Sequence, residues 1–449
     1  MKITHIGHAS TLIEAGGLRI LTDPWWCGPC FGAQWWIYPR PFLEAVQDQR
    51  LDYIYISHGH EDHFHPGTLR TLDKNARLLV SRGSSFLPQA RSLGFNVVEI
   101  APDTPAELGP GLFCRIVPTY GGDTFMTLTD GRETLVNLND AVHALPRYLA
   151  RRFAQLIRRY HPAIDYVFCG HGVASHYPNC YVVPGKDRTA TAQKRQMFFN
   201  RSWSHVAASL SPRFAFPFAA DVILLENDLM WANEPVHNTR RPTEVFQDLY
   251  PGSPTRVLDI APGFCVEGGA IREMRLREPL RMSSVQDEYR EQIARANRYA
   301  PARPEHVEQV RRLLAEGIER RRRHFSGFPR DYRFLVRMRN TQAGILVVKR
   351  GESFSVDAIE DVAKAGKCDL AYTARLPYLQ RSLTTPFGCD LLFIGSGGIF
   401  EYPDRSRLGE SLHEELMAML SPFARTPPRI LRRAKTWIKN ALGRDELDL

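Results

Sequence analysis

The 449-residue sequence contains no apolar run of roughly eighteen residues, so it offers no helix able to cross a bilayer. Its opening stretch, MKITHIGHASTLIEAGGLRILTD, lacks the basic, apolar, small-residue order of a secretory signal. A soluble cytoplasmic protein is therefore expected. Cysteine is scarce and scattered. Of eight, only Cys27 and Cys30 lie close together, in CGPC, and no second pair completes a four-thiolate zinc site. Ordinary reduced thiols are expected rather than a disulfide framework. Internal repeats and low-complexity segments are absent. No module of interleaved aromatic and basic residues marks a nucleic-acid binder.

What is present is a chain that is 43% hydrophobic and long enough for two or three domains. Residues 1–265 alternate short β-type runs, such as KITHIGHASTLIEA, LDYIYIS and AIDYVFCG, with intervening helical stretches. That texture predicts an α/β sandwich of two sheets faced by helices. Residues 266–328 read as a charged helical connector, and 329–405 as a small α/β domain. Residues 406–449 read as C-terminal helices. The net charge is +9, and basic residues thicken after about residue 270. The arginines closing IERRRRHF suit a helix C-terminus, or an anion-binding patch. In the tail, Ile430, Leu431, Ala434, Trp437, Ile438, Ala441 and Leu442 share one helical face, opposite Arg429, Arg432, Arg433, Lys435 and Lys439. Such a basic helix docks on its own core, on a partner or on an anionic membrane surface.

The densest chemistry is SHGHEDHFH, Ser57 to His65, directly after the apolar run LDYIYIS. Loops at strand ends are where a sheet presents reactive groups. His58 and His60 can aim imidazoles at one cation, while Asp62 and His63 can hold a second. Imidazole and carboxylate together suit iron, zinc or manganese. The alternative is a solvated polar loop. The aromatic stretch PWWCGPCFGAQWWIYPRP follows Asp23 and reads as a substrate wall or as a core-capping loop.

The HxHxDH pattern after a strand resembles the metallo-β-lactamase superfamily. ITHIGHASTLIE, LTDPWWCGPCFGAQWW, VNLND and PFAADV resemble the branch that holds CMP-N-acetylneuraminate hydroxylase-like and ascorbate-phosphate lactonase-like proteins. YRFLVRMRN and DLLFIGSGGIF extend the likeness to about residue 405. The resemblance implies an αββα sandwich, and the small α/β unit behind it resembles a sterol-carrier-like domain. It implies His58, His60, Asp62, His63 and Asp140 as metal ligands, and His8 and Asp23 as groups supporting them. Two ligands normally present are missing. Where a histidine is expected after FCRIVPTYGGD the chain offers Thr119 and Tyr120. After RFAFPFAADVILLEN it offers Glu226, Asn227 and Asp228, with His237 further on. Tyr120 is read as an iron ligand or a packing residue, and His171 and His176 as further candidate ligands. Asp62, Tyr120 and Asp140 are the expected catalytic groups.

The leading expectation is an oxygenase or hydroxylase of a small polar or anionic metabolite, using one or two iron ions. No CxH…CxxH pairing for a Rieske cluster occurs, so an external electron donor is implied. The alternative is a mono- or dinuclear hydrolase of a lactone, amide or phosphoester, with zinc or manganese.

Overall fold

The computed structural model describes residues 1–423 except 120–121, 173–178, 221, 329–330, 387, 389, 404–415 and 417. Tyr120, His176 and the basic tail segment 429–442 lie outside the described residues. Among those described, no helix is long and apolar enough to cross a membrane.

Two sheets face each other. The first runs, in spatial order, Ala270–Glu273, Cys265–Glu267, Lys2–Gly7, Ser10–Ala15, Leu18–Thr22, Tyr53–Tyr55, Arg77–Ser81 and Asn96–Ile100. The second runs Arg256–Val257, Phe214–Phe218, Tyr166–Gly170, Thr134–Asn139, Thr124–Thr129, Leu112–Pro118 and Pro105–Gly109. The strand period of two sorts their side chains. Ile13, Ile20, Tyr53, Tyr55 and Leu79 point inward to meet Met126, Leu128, Tyr166, Phe168, Phe214 and Phe216 from the opposite sheet. The alternate residues of the first sheet, Leu12, Leu21, Ile54, Leu78 and Val80, pack outward on Leu69 and Ala90 of the short helices Pro66–Thr71 and Leu87–Ser92. Those of the second, Val136, Leu138, Val167 and Ala215, meet the helices Arg147–Tyr160, Arg188–Leu210 and Pro242–Leu249. Strands buried on both faces have to be apolar throughout, which is why LDYIYIS and AIDYVFCG read as continuous runs. The result is the expected helix–sheet–sheet–helix layering.

The connector forms Met282–Glu288, Arg290–Ala296 and Pro304–Arg321. The run SSVQDEYREQIARANRYA thus makes two short helices rather than one. The third sheet contains Asp331–Met338, Gly344–Arg350, Ser353–Ile359, Leu370–Ala374 and Gly398–Glu401. AIEDVAKAG, expected as a helix, instead ends a strand and forms one 3-10 turn, Val362–Ala365. Its alanines are too few, and its flanking glycine too close, to sustain helical propagation.

A sixth strand of this sheet comes from far earlier in the chain. Tyr181–Val182 pairs in parallel with Gly398–Glu401, with Tyr181 opposite Phe400. Cys180, Tyr181 and Val183 lie in one core with Val336, Tyr372 and Phe400. A second tie is ionic. Glu226, which is 3% exposed, lies 3.1 Å from the Arg375 guanidinium and accepts from the Tyr299 hydroxyl at 3.1 Å. Tyr378 also donates to the Gly32 carbonyl at 2.6 Å, fastening the tryptophan-rich loop.

Candidate metal centre

The site forms where strands of both sheets end. His8 follows Lys2–Gly7, Asp23 follows Leu18–Thr22, and the His58–His63 loop follows Tyr53–Tyr55. Asp140 follows Thr134–Asn139, and His171 follows Tyr166–Gly170. Several of these strand ends leave the ordinary backbone basins. His8 (φ 48°), Asp23 (φ 35°), Asn139 (φ 50°) and Ala219 (φ 54°) all have positive φ without being glycine. Such conformations cost on the order of 1–3 kcal/mol each and gather where a site demands them.

Asp23 organises the loop. It is fully buried and accepts hydrogen bonds from Ser57 N at 2.8 Å and Ser57 Oγ at 2.7 Å. His63 Nδ1 donates to it at 3.0 Å, and so does the Asn139 side-chain amide. The bond to Asp23 commits His63 Nδ1, and turns Nε2 toward Asp62 Oδ2 (3.3 Å) and Asp140 Oδ2 (3.4 Å). His58 Nδ1 donates to Ser57 Oγ at 2.9 Å, so its Nε2 lone pair faces His60 Nδ1, 2.8 Å away. His8 Nε2 donates to Asp62 Oδ2 at 3.1 Å, and the Trp25 ring packs edge-on against His8. This is the arrangement in which supporting groups fix the tautomer and aim of metal-binding imidazoles.

Among the described residues, three groups of side chains each bring their ligand atoms within 4.8 Å of one another: His8, Asp62 and His63; His58, His60 and Asp123; and His58, His63 and Asp140. Burial, with His63 and His60 alongside, holds His58 well below the usual imidazole range, so it is neutral and ready to donate. Burial opposes charge on Asp62 and Asp140, but the neighbouring histidines outweigh it and hold both carboxyls down. Burial likewise opposes charge on His63, yet Asp62 and Asp140 push it well above its ordinary value. Positive charge is thus stabilised at the point between these two carboxylates. Neither His63 Nε2 nor Asp140 Oδ1 makes a hydrogen bond, although both are enclosed. Buried orphans of this kind call for a partner, and a cation satisfies both. The residues fit a metal.

Sequence reasoning stopped at Thr119 and Tyr120 and missed Asp123. The Thr119 backbone N–H and hydroxyl donate to the Asp123 carbonyl, at 2.8 and 3.1 Å, closing a turn that carries the aspartate back. Its Oδ1 lies 4.0 Å from His58 Nε2. The available signal was the GGD turn just before the strand Thr124–Thr129. Glu226 and Asp228, offered in place of a second missing histidine, are instead paired with Arg375 and Arg339 at the C-terminal sheet. The motif's last histidine, His65, caps the helix Pro66–Thr71 by accepting from Thr68 N at 3.1 Å.

A cavity of about 50 Å³ opens beside these ligands, lined by His8, Asp62 and Asp140 on one side and His171, Gln196 and Arg241 on the other. Trp35 forms part of its wall. His171 is buried, and its Nε2 lies 3.4 Å from the Arg241 guanidinium, outside all three ligand groups. His237 also lines the cavity, but its Nε2 donates to the Val222 carbonyl at 2.6 Å and its Nδ1 accepts from Arg277 at 2.8 Å.

Burial pushes His237 down to about 4 from 6.5. The unfolded chain therefore binds a proton that the folded one refuses. Stability should be full above pH 6.5 and fall as pH drops toward 4, with His237 contributing on the order of 3 kcal/mol of that loss. Denaturant unfolding of the wild type and of His237→Gln at pH 7 and pH 4.5 checks this, since the variant should lose less.

Gly170 supplies another test. A Cβ there would stand 2.7 Å from Asp140 Oδ1 and 2.9 Å from the Asn139 carbonyl. Gly170→Ala is expected to cost about 1–3 kcal/mol through overpacking and to weaken metal binding by displacing Asp140. Metal competition titration is the measurement. Unchanged affinity would place Asp140 outside the ligand set.

The model of a beta-lactamase superfamily domain matches residues 2–140. A protein of Mycobacterium tuberculosis named as a Rieske 2Fe-2S iron-sulfur protein is 28% identical over 265 residues, covering 55% of this chain and 48% of that protein. The cytidine monophosphate-N-acetylneuraminic acid hydroxylase of Danio rerio is 40% identical over 75 residues, 16% of this chain and 13% of that one. The chain therefore spans about half the length of the first of these relatives and far less of the second. Among solved structures, a mutant CmlA beta-hydroxylase is 19% identical with a TM-score of 0.38, covering 57% of this chain and 52% of that one. Its two facing sheets, outer helices and histidine–aspartate loop at the strand ends form the α/β metallo-β-lactamase sandwich, and residues 2–140 match the beta-lactamase superfamily domain.

Proposed function

We propose that this protein is a metal-dependent oxygenase or hydroxylase acting on a small polar metabolite, with iron as its metal. The observation that carries the proposal is the set of three adjoining histidine–carboxylate groups, each with its ligand atoms within 4.8 Å of one another. His58, His60 and Asp123 would hold one cation. His63, with His58 and Asp140 or with His8 and Asp62, would hold another, or the second half of a shared site. When bound, iron supplies Lewis acidity and redox chemistry at its open positions.

The chain's own residues do the rest. Ser57 and Asp23 orient His58 and His63. Asp62 and Asp140 supply negative charge that offsets the cation. Trp35, Val222 and Val236 wall the cavity and limit water beside the ligands. The names of two relatives support the oxygenase reading: one is a hydroxylase, the other an iron–sulfur protein. The sequence itself holds no cysteine–histidine pairing for a cluster, so electrons would reach the site from outside these residues.

The second reading is hydrolysis of a lactone, amide or phosphoester. It is favoured by the all-imidazole and carboxylate donor set, which serves zinc as well as iron. Elemental analysis of protein purified without added metal, followed by oxygen uptake with candidate metabolites and a reductant, separates the two. Iron with substrate-dependent oxygen consumption supports the first. Zinc, with turnover that needs no oxygen, replaces it with the second.

A further inference from the structure

We infer that the cavity beside the metal ligands contains a built anchor for a small carboxylic acid bearing a hydroxyl or amino group, formed by Arg241 and Gln196. The inference deepens the enzyme reading above and rests on it for its biological meaning.

Arg241 is held rigidly. Its Nε donates to Asp259 Oδ2 at 2.6 Å and its Nη2 to Asp259 Oδ1 at 2.9 Å, a two-point grip. Its backbone N–H donates to Glu244 at 2.6 Å as the helix Pro242–Leu249 begins. Among the described residues, no acceptor is seated on Nη1. A guanidinium fixed on one edge by a carboxylate keeps its other edge preorganised for a second one. Among the described residues lining the cavity, no carboxylate stands at that end. His171 is its neighbour, and burial together with Arg241 and Arg277 keeps that imidazole uncharged. Arg241 is thus the cationic group among the described residues lining the cavity, while the carboxylates Asp62 and Asp140 line the metal end.

Gln196 adds an independent demand. It rises from the helix Arg188–Leu210 and is 2% exposed. Both hydrogens of its amide are committed, to the His171 carbonyl at 2.9 Å and to Asn200 Oδ1 at 2.8 Å. Flipping the amide would press its oxygen against the His171 carbonyl, so the orientation is forced. Its Oε1 is left buried without a partner. A buried acceptor beside a preorganised cation, in a cavity shared with metal ligands, matches one chemical class. The ligand presents a carboxylate to Arg241, a hydrogen-bond donor to Gln196, and its remaining atoms to the metal.

The probes are glycolate and its neutral counterpart glycolamide, each titrated calorimetrically into the full chain as purified. Wild-type protein should bind glycolate at least about tenfold more tightly than glycolamide, the scale of a charge-assisted hydrogen bond. The double variant R241Q/D259N removes both charges while leaving amide hydrogen bonding in place. It should lose the preference with its metal content unchanged. Gln196→Met should weaken both probes by similar factors, because each carries the hydroxyl. Absence of a preference in wild type overturns the anchor, as does its survival in R241Q/D259N with metal intact. Should R241Q/D259N fold poorly, the wild-type comparison and Gln196→Met still decide. Protein devoid of bound metal would instead sink the enzyme reading, and the glycolate preference would be measurable regardless.

Discussion

Asp23→Ala should lower the stability of the metal-binding fold by about 3–5 kcal/mol, the cost of stripping one partner from a buried charged network, and should leave little metal bound. Asp23 is fully buried and is the common acceptor for Ser57 N, Ser57 Oγ, His63 Nδ1 and the Asn139 amide. Removing it strands four enclosed donors and frees the His63 ring to rotate. Asp23→Asn retains one acceptor and should be intermediate. Denaturant unfolding gives the stability and elemental analysis gives the metal. A loss below about 1 kcal/mol with full metal occupancy would mean that the loop aims its own histidines without this carboxylate.

His60→Ala and Asp62→Ala make the complementary pair, directed at the ligands themselves. His60 is only partly buried and its Nδ1 spans just to His58, so its loss should leave the fold standing. Asp62 is 4% exposed and bonds to His8, so its loss should cost more stability. Each should reduce bound metal and lower turnover at least about a hundredfold, the upper range seen when even supporting groups of metal ligands are removed. Metal content is read alongside the far-ultraviolet dichroism of the same samples. Unchanged metal in both variants would reject the assignment of this loop.

The site was legible in the sequence where its residues are contiguous or punctuate strands. His58, His60, Asp62 and His63 sit within six residues of one another after a buried run. Asp23 and Asp140 each close an apolar strand, so the strand pattern pointed at them. Asp123 was hidden because it arrives through a turn that a search for a histidine passes over. The fate of Glu226 was hidden as well, because only the packing of residues 331–403 shows that Arg375, Tyr299 and Tyr378 claim its carboxylate. The two facing sheets could be read from apolar runs, because strands covered on both sides must be apolar throughout. The strand Tyr181–Val182 could not, since two residues carry no periodicity.

That short strand ties the two regions of the molecule together. The polypeptide leaves the metal-bearing layers near residue 180, lends Tyr181 to a sheet whose other members lie beyond residue 330, and returns to build the helix that bears Gln196. A detour of this kind cannot be undone by one cut. The C-terminal sheet is completed by a strand of the metal-bearing region, so severing the chain between the two would leave Gly398–Glu401 as an unpaired edge.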